Sequence, residues 1–133
     1  FYAGDNDIES GKSPHQVLDD FQDFAKLVNE KLPKARIIYL PIKPSIARWT
    51  KWPQMQRVNT HVKQLWQSDD QIIYVDTASP MMGDDGKPRA ELFLDDGLHL
   101  NTKGYALWIQ TLQPVLDQAL LKPARSVSEG GVR

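Results

Sequence analysis

Val17, Leu18, Phe21, Ala25, Val28 and Leu32 recur at three- and four-residue intervals, the spacing of one face of an amphipathic helix. Ser13 stands before them as an N-cap, Pro14 follows at the first helical position, and Gln16 sits where a capping box requires it. Pro33 ends that pattern. A second stripe, Met55, Val58, Val62, Leu65 and Trp66, predicts another helix. A third runs through Tyr105, Ile109, Leu112, Leu116 and Leu120, capped by Asn101 or Thr102, with Pro114 expected to kink or shorten it. Between the stripes lie "RIIYLPI" (36–42) and "QIIYVD" (71–76), short and apolar almost throughout, as strands covered on both faces are. The opening "FYAG" (1–4) reads as the last part of a further buried strand. The order is strand, helix, strand, helix, strand, a long loop over 77–101, and helix. That alternation predicts an α/β domain with a parallel sheet and right-handed crossovers.

Composition narrows the functional classes. The 133 residues suffice for one domain with a modest core. The net charge of −1 supplies no basic field for nucleic acid. With no cysteine, disulfides and thiolate zinc sites are impossible. No apolar run approaches membrane-spanning length, and no signal peptide is visible. A start inside a strand leads us to expect further sequence upstream. The tail "KPARSVSEGGVR" (122–133) has almost no apolar content and is expected to be disordered, leaving 1–121 as the folded domain.

The first fourteen residues, "FYAGDNDIESGKSP", admit three chemical readings. Gly-Lys-Ser between a strand and a helix resembles the end of a phosphate loop. However, Asn6 occupies the place of its first glycine, Gly4 is out of register, and Asp5, Asp7 and Glu9 would repel a polyphosphate. The alternating acids suggest a calcium loop, yet Ser10 and Gln16 stand where that loop needs glycine and a bidentate acid. The third reading is an oxyanion site. In an open parallel sheet, ligands sit beyond the carboxyl ends of the strands, and Asn6 lies just past such an end. An amide held there donates to a developing oxyanion; losing one such donor costs ~10²–10³ in turnover. The plainer alternative is that Asn6 and Asp7 simply make a turn.

The segment "DDGLHLNTKGY" (95–105) bears on that choice. Asp96 precedes His99 by three residues in a glycine-containing turn before a helix, a spacing that can fold the carboxylate back onto one imidazole nitrogen. The other nitrogen is then left as a base, its tautomer and orientation set by the acid. Alone, the pattern is equally that of a solvated loop with a surface histidine. Because this loop also follows a strand, it is expected to rise from the same sheet edge as Asn6.

"AGDND" together with "DGLHLNTKGYALW" resembles the third and fifth sequence blocks of the SGNH hydrolases, also called GDSL-type esterases. "IIYLPIKPSIARW" and "GKPRAELFLDDGLHL" resemble a bacterial branch of the same family, and the likeness covers residues 1–121. The resemblance implies a three-layer α/β/α flavodoxin-like fold, with the end of strand 3 and strands 4 and 5 of the family's sheet retained. It also implies hydrolysis of acyl or acetyl esters without a cofactor. By position, His99 corresponds to the general base, Asp96 to its orienting acid, Asn6 to the oxyanion asparagine and Gly4 to the glycine before it. The family's nucleophilic serine lies in a Gly-Asp-Ser motif near its N-terminus, and no serine here stands in that context. The chain is therefore expected to be inactive alone. Its unpaired sheet edge and uncovered helix faces are expected to favour self-association.

Other residues have two readings each. Trp49 and Trp52 read either as a wall facing an acyl or sugar group, with Lys43 and Arg48 contacting polar parts of a substrate, or as ordinary cover for the sheet edge. The wall reading carries a rival function, a non-catalytic carbohydrate- or protein-binding module. Met81 and Met82 are expected to pack beneath the long loop, and His15 and His61 to lie on the surface. A metal held by Asp84, Asp85, Asp95 and His99 has no known ligand spacing behind it.

Overall fold

In the computed structural model the described residues are 1–121; the tail expected to be disordered lies outside them. Two strands, β1 (Ile37–Tyr39) and β2 (Ile72–Tyr74), run parallel, with Ile37 opposite Ile72 and Tyr39 opposite Tyr74. Both are shorter than the runs that predict them, although ladder-like bonds continue past their ends, as from Val75 N to the Tyr39 carbonyl at 3.0 Å. Phe1 occupies the place of a third strand. Its nitrogen donates to the Ile38 carbonyl at 2.7 Å, and its own carbonyl accepts from Leu40 N at 2.9 Å. These two bonds flank Tyr39 in the pattern of a parallel pair.

The chain then turns at Gly4, whose φ of 121° suits glycine, and a Cβ there would lie 2.8 Å from Ile42 Cδ1. Beyond Gly4 the chain forms a short helix, α1 (Asp5–Glu9), rather than an open loop. Next comes α2 (Pro14–Lys31), with both arms of the capping box made: Gln16 N donates to Ser13 Oγ, and Ser13 N to Gln16 Oε1. The third helix, α3 (Trp52–Ser68), connects β1 to β2, preceded by a 3₁₀ turn over Trp49–Lys51. The last, α4 (Thr102–Leu121), is capped by Asn101, whose Oδ1 accepts from Lys103 N and Gly104 N. Pro114 sits within α4 without ending it.

The principal core joins Ile8 of α1, Val17 and Phe21 of α2, Ile37 and Tyr39 of β1, and Met55, Val58 and Val62 of α3. A smaller cluster, Met81, Leu92, Phe93 and Leu100, receives Leu107 and Trp108 from α4. Trp108 Nε1 donates to Met81 Sδ at 3.3 Å, so Met81 does pack beneath the long loop. Gly104 presses against the Leu92 carbonyl oxygen, with which a Cβ would collide. Most of the apolar stripe predicted for α4 is not buried: Tyr105 is 53%, Ile109 61% and Leu120 84% exposed. The helix docks instead through Gly104, Leu107 and Trp108.

Candidate active site

The segment after the smaller cluster closes into a tight turn. Phe93 and Leu100 form an antiparallel bridge, Leu94 N donates to the His99 carbonyl at 2.8 Å, and Gly97 takes φ 63° at the bend. Asp96 organises this turn. Its Oδ1 accepts from Leu98 N and His99 N, each at 2.9 Å, and its Oδ2 meets His99 Nδ1 at 2.5 Å. The His99 hydrogen bond, with the two backbone N–H groups, lowers the Asp96 carboxyl to a pKa of about 2. An ionised carboxylate only accepts, so a neutral His99 carries its proton on Nδ1 and leaves the Nε2 lone pair free. Nε2 has no hydrogen-bond partner among the described residues, and the His99 side chain is 69% exposed. The couple can therefore take a proton from, and return it to, a group arriving from solvent.

Asn6 lies on α1. Its Oδ1 accepts from Arg48 Nη1 at 2.8 Å, and its backbone N donates to Asp5 Oδ1 at 2.9 Å. The other Asp5 oxygen holds two cations, Arg48 Nη1 at 3.1 Å and Lys43 Nζ at 3.4 Å. Lys43 also donates to the Tyr2 hydroxyl at 3.1 Å. Burial lowers the Lys43 pKa, opposed first by Asp5; Arg48 also lowers it, and Asp96 raises it. Lys43 thus feels both the Asn6 cluster and the Asp96 turn. Burial likewise raises the Tyr2 hydroxyl well above its ordinary value.

Segment 42–48, "IKPSIAR", straps these two parts together. At its start, Asn59 of α3 accepts from Ile42 N and donates to the Ile42 carbonyl. Within it, Ser45 is buried and its Oγ accepts from Arg48 N at 3.2 Å, fixing the turn from which the Arg48 side chain departs. Ala47 N then donates to the Gly97 carbonyl at 3.0 Å, one residue from Asp96. The strap leaves the carboxyl end of β1, where ligands of open parallel sheets sit.

The remaining expected substrate contacts have other surroundings. Gly4 is buried, and Lys43 is 6% exposed with its ammonium engaged by Tyr2 and Asp5. Trp49 stacks on Trp52 with centroids 6.2 Å apart, and Trp52 belongs to the principal core, which matches the reading as cover. No serine hydroxyl bonds to His99 among the described residues: Ser13 caps α2, Ser45 holds Arg48 N, and Ser79 donates to Asp76. Nor does any group of three or more His, Asp or Glu side chains among the described residues form a metal site. Sequence reasoning missed Asp5, Ser45 and Asn59. A lysine directly after an apolar strand was the one signal that a partly buried acid waited nearby.

The model of the GDSL-like Lipase/Acylhydrolase family matches residues 1–107. Among solved structures, a serine-to-alanine mutant of an acetyl esterase holding acetate superposes with a TM-score of 0.75 at 18% identity, over 91% of this chain and 57% of its own. A carbohydrate esterase family 3 protein from Talaromyces cellulolyticus gives 0.73 at 18%, over 89% and 56%. A GDSL-like lipase from Bacteroides thetaiotaomicron gives 0.70 at 18%, over 88% and 60%. The chain thus spans somewhat over half the length of these structures. No curated protein sequence matches it. The fold is the α/β fold of these esterases, and the chain belongs to the GDSL-like lipase/acylhydrolase family.

Proposed function

We propose that the protein is a serine ester hydrolase acting on acyl or acetyl esters of small molecules, with this chain contributing its base, its orienting acid and one oxyanion donor. One observation carries the reading: His99 Nδ1 meets Asp96 Oδ2 at 2.5 Å while Asp96 Oδ1 is held by two backbone N–H groups. The acid is rigid, anionic and aimed, which is what an imidazole base requires.

A serine from sequence outside these residues attacks the ester carbonyl. His99 Nε2 accepts the serine proton, and the resulting imidazolium is stabilised by Asp96. Negative charge on the former carbonyl oxygen receives a hydrogen bond from Asn6 Nδ2. Collapse of the adduct breaks the ester C–O bond, and His99 returns the proton to the leaving alkoxide. Water then attacks the acyl-serine with the same assistance, releasing the acid and restoring the serine. Gly4 shapes the backbone beneath Asn6, and Lys43 and Arg48 pair with Asp5 beside it.

The test compares this chain with the full-length protein on short p-nitrophenyl esters. Activity in the full-length form alone, abolished by His99→Ala, is the expected result. Full activity in His99→Ala would refute it. We also propose that the isolated chain self-associates along the Phe1 edge of its sheet and the exposed side of α4. A monodisperse monomer in light scattering would argue against that.

A further inference from the structure

We propose that Arg48 is a positioning residue: anchored on Asp5, it donates to the side-chain oxygen of Asn6 and so fixes which end of that amide faces the substrate. The proposal rests on the reading of Asn6 as an oxyanion donor.

The two ends of an asparagine amide have nearly the same shape and opposite chemistry. One end donates and the other accepts. On an exposed first helical turn, Asn6 could rotate and present either. An outward oxygen would repel a developing oxyanion, so an unheld amide is wrong for part of the time. A guanidinium has donors only, so the end that meets Arg48 is necessarily the oxygen. At 2.8 Å the bond is charge-assisted and short. The Nδ2 end is then turned away from Arg48, and it has no hydrogen-bond partner among the described residues.

Arg48 is itself held at two points. Its Nη1 pairs with Asp5 Oδ2 at 3.1 Å and its backbone N donates to Ser45 Oγ, leaving the side chain only 15% exposed. Asp5 completes the arrangement, because its other oxygen accepts from the backbone N of Asn6. One carboxylate therefore secures both the backbone of Asn6 and the cation that orients its side chain. Lys43 shares that carboxylate at 3.4 Å but makes no bond to Asn6, so it balances charge without orienting the amide. Both contacts leave from Nη1, whose two N–H bonds lie fixed in the guanidinium plane, whereas the ammonium of a lysine at position 48 is a rotating point charge on a flexible stem and holds no such fixed pair of directions.

The test is a double-mutant cycle in the full-length protein, with kcat and KM measured on a p-nitrophenyl ester. Asn6→Ala is expected to lower kcat by ~10²–10³. Arg48→Lys is expected to lower kcat about tenfold, with KM within about twofold, and to change kcat by less than about twofold in the Asn6→Ala background. An equal loss in both backgrounds, or a loss carried by KM, overturns the proposal and makes Arg48 a substrate contact. Unchanged kcat in Asn6→Ala refutes the oxyanion reading instead. Arg48 is then judged by ¹⁵N relaxation of the Asn6 side-chain amide, which needs no turnover. Increased mobility in Arg48→Lys supports the hold, and unchanged mobility overturns it. Thermal melts accompany each comparison, and Arg48→Gln replaces Arg48→Lys, judged by the same cycle, if the latter melts early.

Discussion

Asn59 holds Ile42 by both of its backbone groups, its Oδ1 accepting from Ile42 N at 2.7 Å and its Nδ2 donating to the Ile42 carbonyl at 2.9 Å. A helix side chain thus supplies what a neighbouring strand would have supplied. It does so at the residue where β1 has ended and the strap begins. Both residues are buried, so no water is at hand to replace these bonds.

Replacing Asn59 by leucine would strand one buried donor and one buried acceptor. Each stranded group costs roughly 1–3 kcal/mol. A loss of about 2–4 kcal/mol in urea unfolding is the expected outcome. A loss below about 1 kcal/mol would mean that the strap does not depend on this amide.

Asp96→Asn retains an oxygen for the backbone N–H groups but can present an N–H to His99 Nδ1. The imidazole would then move its proton to Nε2 and cease to be a base. In the full-length protein, kcat is expected to fall by about 10⁴ with KM little changed, as in other triads that lose this acid. A fall below tenfold would show that the carboxylate does not set the tautomer.

The Asp96 carboxyl titrates at about 2, held down first by the His99 hydrogen bond. Because the folded-state pKa is depressed, ionised Asp96 adds stability above its unfolded value of about 3.9, and that contribution is lost as pH falls through the folded value. A ¹³C titration of the Asp96 carboxylate should give a midpoint near 2. An ordinary carboxylate midpoint would contradict the pairing. Any acid limb of activity above about pH 4 must come from another group.

Gly104 is where α4 touches the Leu92 carbonyl, and a methyl group there has no space. Gly104→Ala should cost about 1–3 kcal/mol, the usual range for overpacking, despite the better helix propensity of alanine. It should also loosen Trp108 from Met81, read as a change in tryptophan fluorescence. A stabilised variant would show that α4 is free to shift.

Much of this arrangement is legible in the sequence wherever its causes are local. The Ser13–Gln16 box, the Asn101 cap and the Asp96–His99 couple all lie within four residues, and side-chain type with spacing suffices to predict them. The strands are legible as runs of "IIY", but their length is set by pairing, so each forms over only three residues. The burial of Lys43 was not legible, because the acid that draws it inward is 38 residues away. Asn59 gives no signal at all in a polar helix segment. The α4 stripe misleads for a related reason: periodicity shows that a face is apolar but not that anything covers it.

The two halves of the site differ in how far apart along the chain their partners lie. The His99–Asp96 couple closes a loop of three positions, whereas the clasp between Arg48 and Asn6 spans 42. Closing the longer loop costs more chain entropy, and it must wait for the intervening helix and strand to collapse. The acid–base half is therefore expected to form early, as a local unit. The oxyanion half needs the finished tertiary structure, and it is expected to be lost no later than the acid–base half as urea loosens the fold.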